Sequence, residues 1–367
     1  MGSTDFGVND ALAVKLWSKT LSVQSLDATD IKPLIGKDKN SIIQLKEELG
    51  KGPGDKVTYG LRINLVGAGF TENDLAEGNG EGLSIYSDAL TINELGHVVG
   101  VKSENTIDQE RVPFNLRDEA RDGLQDWWSQ RFSFAFFNQV CGNTLQTDTK
   151  YTGLQAATAP TSSGNRILRQ NSYTDDASLT SNDTFTLDLV DKAKEQAIAP
   201  QVDANGNKTI PRIRPVNVAG YGDCYVMYLH DWQITNLRTN TGAGQWLDIQ
   251  KAAITGDGSA KNPIMTGALG VYNNVVLRRS PDLPNGISNA GATVANTKRA
   301  VLLGAQAAMI GFGRKNSPAR LRWNEELFDH RRRLEVSAWS IWGLKKTVFN
   351  SIDYGTVVVT TYAAAHT

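Results

Sequence analysis

Eleven residues that alternate between polar and apolar, followed by a connection too long for a hairpin turn, constrain this chain more than any other feature. In KVTYGLRINLV (56–66), Val57, Tyr59, Leu61, Ile63 and Leu65 alternate with Lys56, Thr58, Gly60, Arg62 and Asn64. Successive side chains of a strand point to opposite faces, so this period predicts a strand with one apolar and one polar face. A second extended run follows at 83–101, with Tyr86, Leu90, Ile92 and Val98 on one parity. Between them lie the sixteen residues GAGFTENDLAEGNGEG, rich in glycine and acids. Hairpins usually close in about two to five residues, and long connections are uncommon unless functional. The pattern predicts an arm with a mobile tip, reaching away from its own core.

A long helix is expected at 113–141, within VPFNLRDEARDGLQDWWSQRFSFAFFNQVCG. Pro113 suits a first turn and Gly142 the position just past the end. Leu116, Ala120, Leu124, Trp127, Trp128, the stem of Arg131, Ala135 and Phe136 form a stripe at helical spacing, opposite Asp118, Glu119, Arg121, Asp122 and Gln125. About 28 residues at ~1.5 Å each would give a rod of roughly 42 Å. Phe132 to Phe137 are apolar nearly all round and should be buried.

Elsewhere the signals are shorter. Residues 9–24 read as an amphipathic helix with Leu12, Leu16 and Trp17 on one face. Ser41–Leu45 reads as a strand, 143–185 as a long polar loop, and 186–198 as a helix ended by Pro200. Tyr225–Leu229, Val271–Arg278, Arg299–Leu303, Leu334–Leu344 and the tail GTVVVTTYAAA read as strands, with helices at 231–238 and 244–254. The fold class is α+β.

Composition narrows the function. The chain has 367 residues, enough for a sizeable core. Lys plus Arg number 38 against 39 for Asp plus Glu, a formal charge of −1, which argues against a protein whose main task is gripping nucleic acid. Cys141 and Cys224 form no CxxC pattern, so neither a disulfide framework nor a zinc site is expected. MGSTDFGVND shows no basic region leading into an apolar run, so no secretory signal is expected. No stretch approaches the roughly 20 apolar residues of a membrane span. The expectation is a soluble protein made inside a cell.

Catalytic chemistry is thinly represented. The chain contains no GxxxxGK[ST], HExxH or GxSxG, and no GxGxxG after a strand. Its histidines, His97, His230, His330 and His366, stand at no metal-ligand spacing and read as structural or surface residues. Cys141, at the apolar end of the long helix, reads as a small buried hydrophobe. Gly78, Gly80 and Gly82 are interleaved by Glu77 and Glu81, which would repel a phosphate, so they read as a flexible tip. Arg331, Arg332 and Arg333 are surrounded by Glu325, Glu326, Asp329 and Glu335, which makes ion pairing the better reading than nucleic-acid binding. No catalytic, cofactor or metal site is expected.

The order of these parts resembles the Hong Kong 97-type fold of tailed-phage capsid proteins. The stretches FGVNDALAVKLWSKTL (6–21), SIIQLKEELGKGPGDKVTYGLRINLVGAG (41–69) and EGNGEGLSIYSDALTINEL (77–95) look like one family, the major capsid proteins of N-four-like short-tailed phages. So do RVPFNLRDEARDGLQDWWSQRFSFAFFNQVCGNT (111–144), GALGVYNNVVLRRS (267–280), RAVLLGAQAA (299–308) and FDHRRRLEVSAWSIWGLKKTVFN (328–350). The likeness runs nearly end to end and is weakest over 145–215. It departs at Asp231, where the pattern has proline.

The resemblance implies an N-terminal arm (1–54), an extended β-hairpin loop (55–101), and a peripheral domain (102–208) built on the long helix as its spine. An axial domain (209–330) and C-terminal strands returning to the peripheral domain (331–367) would follow. It implies self-assembly into hexamers and pentamers of an icosahedral head enclosing double-stranded DNA. The implied partners are portal and scaffolding or cement proteins, and the implied location is the virion after synthesis in the bacterial cytoplasm. Two strands of about 10 residues would carry the arm ~30 Å at ~3.3 Å per residue. Its tip, with Phe70, Glu72, Asp74, Glu77 and Glu81, would meet basic groups on a neighbour, and Leu12, Leu16 and Trp17 would dock the N-terminal helix on an adjacent protomer. The alternatives are an encapsulin-like nanocompartment shell, a decoration or tail protein, and a hydrolase using Asp and Glu.

Overall fold

The structure, a computed structural model, describes residues 31–46, 56–62, 69–78, 80, 85–102, 106–162, 165–199, 212–218, 222–240, 242, 270–313 and 321–365. The strands in chain order are β1 (Ile35–Gly36), β2 (Ile43–Lys46), β3 (Lys56–Arg62), β4 (Ile85–Thr91), β5 (Asn93–Lys102), β6 (Ile167–Arg169) and β7 (Val216–Val218). They continue as β8 (Gly222–Leu229), β9 (Val271–Tyr272), β10 (Val275–Arg279), β11 (Gly286–Ile287), β12 (Thr293–Val294) and β13 (Thr297–Leu303). The last are β14 (Ala308–Phe312), β15 (Arg322–Phe328), β16 (Arg333–Lys346), β17 (Val348–Phe349), β18 (Ile352–Asp353) and β19 (Thr356–Tyr362). The α-helices are α1 (Ile107–Arg111), α2 (Leu116–Val140), α3 (Leu187–Ile198) and α4 (Asp231–Thr239). The helix expected at 9–24 and the one at 244–254 lie outside the described residues.

Two sheets organise the molecule, one of order β1-β2-β14-β16-β15 with β5 also on β16, the other of order β6-β19-β13-β8-β10-β9 with β7 also on β8. Helix α2 lies between them. Phe132 meets Trp342 of the first sheet edge-to-face at 4.8 Å, and Phe137 meets Tyr228 of the second at 5.2 Å. This is why the second half of α2 is apolar almost all round: it has a sheet on either side and little solvent to face. Gln130 and Phe134 are the exposed exceptions, Phe134 at 37%. On the far side of the second sheet, Leu189, Val190 and Ala193 of α3 and Ile234 and Leu237 of α4 cover Met227, Leu229, Leu302 and Val359. Strand β8 is therefore buried on both faces, and it reads as an apolar run, as such strands do.

The ends of α2 show which local signals act. Its first backbone donors are capped by Asn115, whose side chain accepts from the Arg117 amide. Pro113 thus stands before the cap and not in the first turn, and the helix has 25 residues, shorter than the expected rod. At the other end Gly142 takes φ +65, and a Cβ there would come 2.6 Å from Pro160 and 2.7 Å from the Thr158 carbonyl. Conformation and space both demand glycine.

The run at 83–101 is two strands in different sheets, correcting the single strand expected there. Strand β4 pairs with β3 from Lys56↔Thr91 to Arg62↔Ile85, whereas β5 pairs with β16 from Asn93↔Trp342 to Lys102↔Arg333. At the corner the chain passes over Gly343, where a Cβ would lie 2.2 Å from the Thr91 carbonyl. The inward parity changes there: Leu95 is buried with Val99 and Val101 packed beside it, and Val98 is 44% exposed. Likewise Val271–Arg278 is not one strand but the antiparallel pair β9 and β10, turned at Asn273 (φ 45) and Asn274 (φ 58). Asp231 occupies the first position of α4, where proline is also well accommodated, so its departure from the family pattern disturbs nothing.

Candidate assembly surfaces

Strands β3 and β4 form a separate two-stranded ladder. Its apolar face, Tyr59, Leu61 and Leu90, is buried against Met309, Phe349 and Tyr354. Its polar anchor is Asp88. That carboxylate accepts from the Tyr59 hydroxyl at 3.0 Å and the Val348 amide at 3.4 Å, and it pairs with Lys345. Burial, with Asp88 beside it, pushes the Tyr59 phenol well above its ordinary range and keeps it a donor. The arm is thus rooted on the body by the alternation that identified it.

Residues 69–78 carry four of the five predicted tip residues, Phe70, Glu72, Asp74 and Glu77, on one exposed stretch. Glu81, like Leu12, Leu16 and Trp17, lies outside the described residues. Phe70 is 52% exposed and Leu75 is 71% exposed, large apolar groups on the surface of the tip. Asp74 differs from its acidic neighbours. Its carboxylate accepts from the Thr71 amide at 2.8 Å and hydroxyl at 2.6 Å, and these bonds hold its pKa below the usual carboxylate range. Asp74 therefore shapes the tip, while Glu72 and Glu77 lie exposed on either side of it.

Sequence reasoning missed the outer face of the first sheet. There Trp339 is partly exposed and lies flat over Gly96, whose missing Cβ would come within 2.2 Å of the indole. Val98 and Phe328 are exposed on the same sheet, and Ile107 and Phe114 are exposed just before α2. Strand alternation told that one parity faces inward but not that the other stays uncovered. The arginines at 331–333 stand at the turn between β15 and β16, where Arg333 pairs with Glu335 at 3.1 Å, as charge balance suggested. Deeper in, Glu325 takes Arg117 at 2.8 Å.

Residues that could have carried catalysis have structural surroundings. The Cys141 thiol is fully buried, and burial pushes it up to about 12, which removes the thiolate a nucleophile needs. His230 caps α4 by accepting from the Trp232 amide at 3.2 Å, and His97 stacks on Trp127. Among the described residues no group of three His, Cys, Asp or Glu could hold a metal ion, and no helix is long and apolar enough to cross a membrane.

A family model described as phage capsid protein matches residues 5–365, nearly the whole chain. The chain belongs to the phage capsid protein family. Solved structures agree on the fold. The capsid of Ralstonia phage GP4 is 31% identical, with a TM-score of 0.74 over 99% of each chain. The capsid of cyanophage Pam1 is 20% identical, with a TM-score of 0.70 over 99% of this chain and 100% of that one. The acidic stable capsid of Helicobacter pylori bacteriophage KHP30 is 18% identical, with a TM-score of 0.61 over 91% of each. No curated protein matches. This phage major capsid protein has the Hong Kong 97-type fold, a structural family of shell subunits, and the encapsulin alternative is not favoured.

Proposed function

We propose that copies of this chain form the hexamers and pentamers of an icosahedral head of a short-tailed, N-four-like phage, closed around double-stranded DNA. The observation that carries the reading is an arm anchored at its root and bare at its tip. Tyr59, Leu61, Leu90 and Asp88 fix the ladder to its own body, while Phe70, Leu75, Glu72 and Glu77 face solvent in the isolated chain. Such a tip gains by lying on a neighbouring copy, where the apolar groups lose water and the acids meet cations. Repetition around closed rings then turns weak contacts into a stable shell.

In this reading residues 55–101 are the extended loop, 102–208 the peripheral domain with α2 as its spine, and 209–330 the axial domain. Residues 331–367 supply C-terminal strands, of which β16 lies in the first sheet and suits a return to the peripheral domain, while β19 joins β13 in the second. Leu12, Leu16 and Trp17 dock the N-terminal arm on an adjacent protomer. DNA is held without sequence readout, as the near-zero charge suits. Portal and scaffolding or cement proteins complete the head, the chain is made in the bacterial cytoplasm, and it performs no catalysis.

Size-exclusion chromatography and negative-stain microscopy of the purified chain test this. Shells, tubes or capsomer-sized rings are the expected result, and a strict monomer at high concentration contradicts it.

A further inference from the structure

Beyond the C-terminal end of α2 lies a cavity of about 870 Å³, lined by Gly142, Pro160, Asn165 and Tyr173 on one side and by the 287–291 turn on the other. Two arginines line it and, among the described residues, no carboxylate does. Behind its wall sits Asp176, fully buried. It accepts from Arg169 Nε at 2.5 Å on one oxygen, and from Arg299 Nη2 at 2.7 Å and the Ile287 amide at 2.8 Å on the other. Two guanidiniums against one carboxylate leave one positive charge.

The two arginines are not equally satisfied. Arg299 is saturated: its Nη1 also donates to the Cys141 and Gly142 carbonyls at 3.2 and 3.1 Å, closing the end of α2. The partial negative charge of that helix end offsets Arg299. Arg169, with 9% of its side chain exposed, uses only Nε, and its two terminal nitrogens bond to no group among the described residues. The nearby acids do not supply the missing partner. Asp175 accepts from the Ala177 and Asn289 amides, and Asp183 from Thr180 and Asn171. The terminal end of the Arg169 guanidinium thus stands on the cavity wall as a planar double donor, a geometry that two oxygens of one anion match. Ser162, Asn165 and Ser288 around it offer further donors.

We propose that this cavity is an oxyanion site, in which the terminal nitrogens of Arg169 bind a phosphate-like or carboxylate group. The group has two sources, a free anion or an acidic side chain of a second copy. The site does not depend on the arm, so its failure would leave the coat reading untouched.

Phosphorus NMR titration of inorganic phosphate into the purified full-length chain, at constant ionic strength, tests it. The wild type should show saturable binding. Arg169→Gln, which removes the fork, and Thr144→Glu, which sets a carboxylate on the exposed rim away from the buried network, should each weaken binding about tenfold or more. Thr144→Glu decides the matter if Arg169→Gln does not fold. Phosphate bound by both subunit and assembled particle assigns the site to a free anion; phosphate bound by the subunit and excluded from the particle assigns it to a neighbour's carboxylate. Absence of binding by the wild type, or undiminished binding by a variant that folds, would overturn the proposal.

Discussion

Asp176 and Asp353 are buried carboxylates, each held by cationic side chains. Asp353 holds Lys346 at 2.8 Å with both side chains essentially fully buried, and Asp176 sits between Arg169 and Arg299. Removing one member of a buried pair leaves an uncompensated charge, so Asp176→Asn should cost roughly 3–5 kcal/mol in chemical unfolding. Burial alone would raise the pKa of Asp176, but Arg299 and Arg169 outweigh it and the net direction is down. A carboxyl whose pKa is lower folded than unfolded stabilises the fold above its ordinary range, and that contribution is lost as pH falls through the folded value. Asp176→Asn should therefore narrow the stability gap to wild type under strong acid, which acid-dependent melts will read. His230 behaves likewise at milder pH. Burial, with Lys298 and Arg279 nearby, lowers it to about 4, and the neutral ring is the acceptor that caps α4. Its contribution is present above the unfolded value near 6.5 and is lost towards about 4. Asparagine accepts without titrating, so His230→Asn should lose less melting temperature between pH 7 and pH 5, taken as roughly neutral and mildly acid conditions, than wild type does.

At the scale of elements, helix α2 is held by what lies on both its sides and by how it stops. Phe132→Ala, beneath Trp342 and Trp128, should cost about 3–5 kcal/mol. Gly142→Ala should cost at least about 1–2 kcal/mol from its φ alone, with the Pro160 clash added, and calorimetry of the two variants will rank them. Both α2 and β3 were legible in the sequence because one clear period runs through each. The break between β4 and β5 was not, since apolar residues continue across Thr91 while the partner strand changes. Strand β14 was missed because AMIGF is buried throughout and alternates nowhere. The polar segment 143–185 reads as a loop, yet it supplies Arg166, Arg169 and Asp176 to the interior. Paired charges bury without any hydrophobic signal, so no periodicity announces them. Residues 69–78, by contrast, are exposed as their acid-rich composition suggested.

At the scale of the whole molecule, the proposed assembly rests on a division between a packed body and an exposed tip. Two sheets and α2 close a core without using any tip residue. The ladder's root adds Tyr59, Leu61 and Leu90, and residues 69–78 beyond it are exposed, which suits the proposed contact with another copy. Cutting the arm beyond its root should therefore separate folding from assembly. The decisive measurement is negative-stain microscopy of a variant lacking residues 67–82, joined by a short glycine linker, with circular dichroism recorded on the same sample. A native-like, cooperatively melting spectrum without shells or capsomer rings is the predicted result; particles formed as readily as by the intact chain would contradict the account.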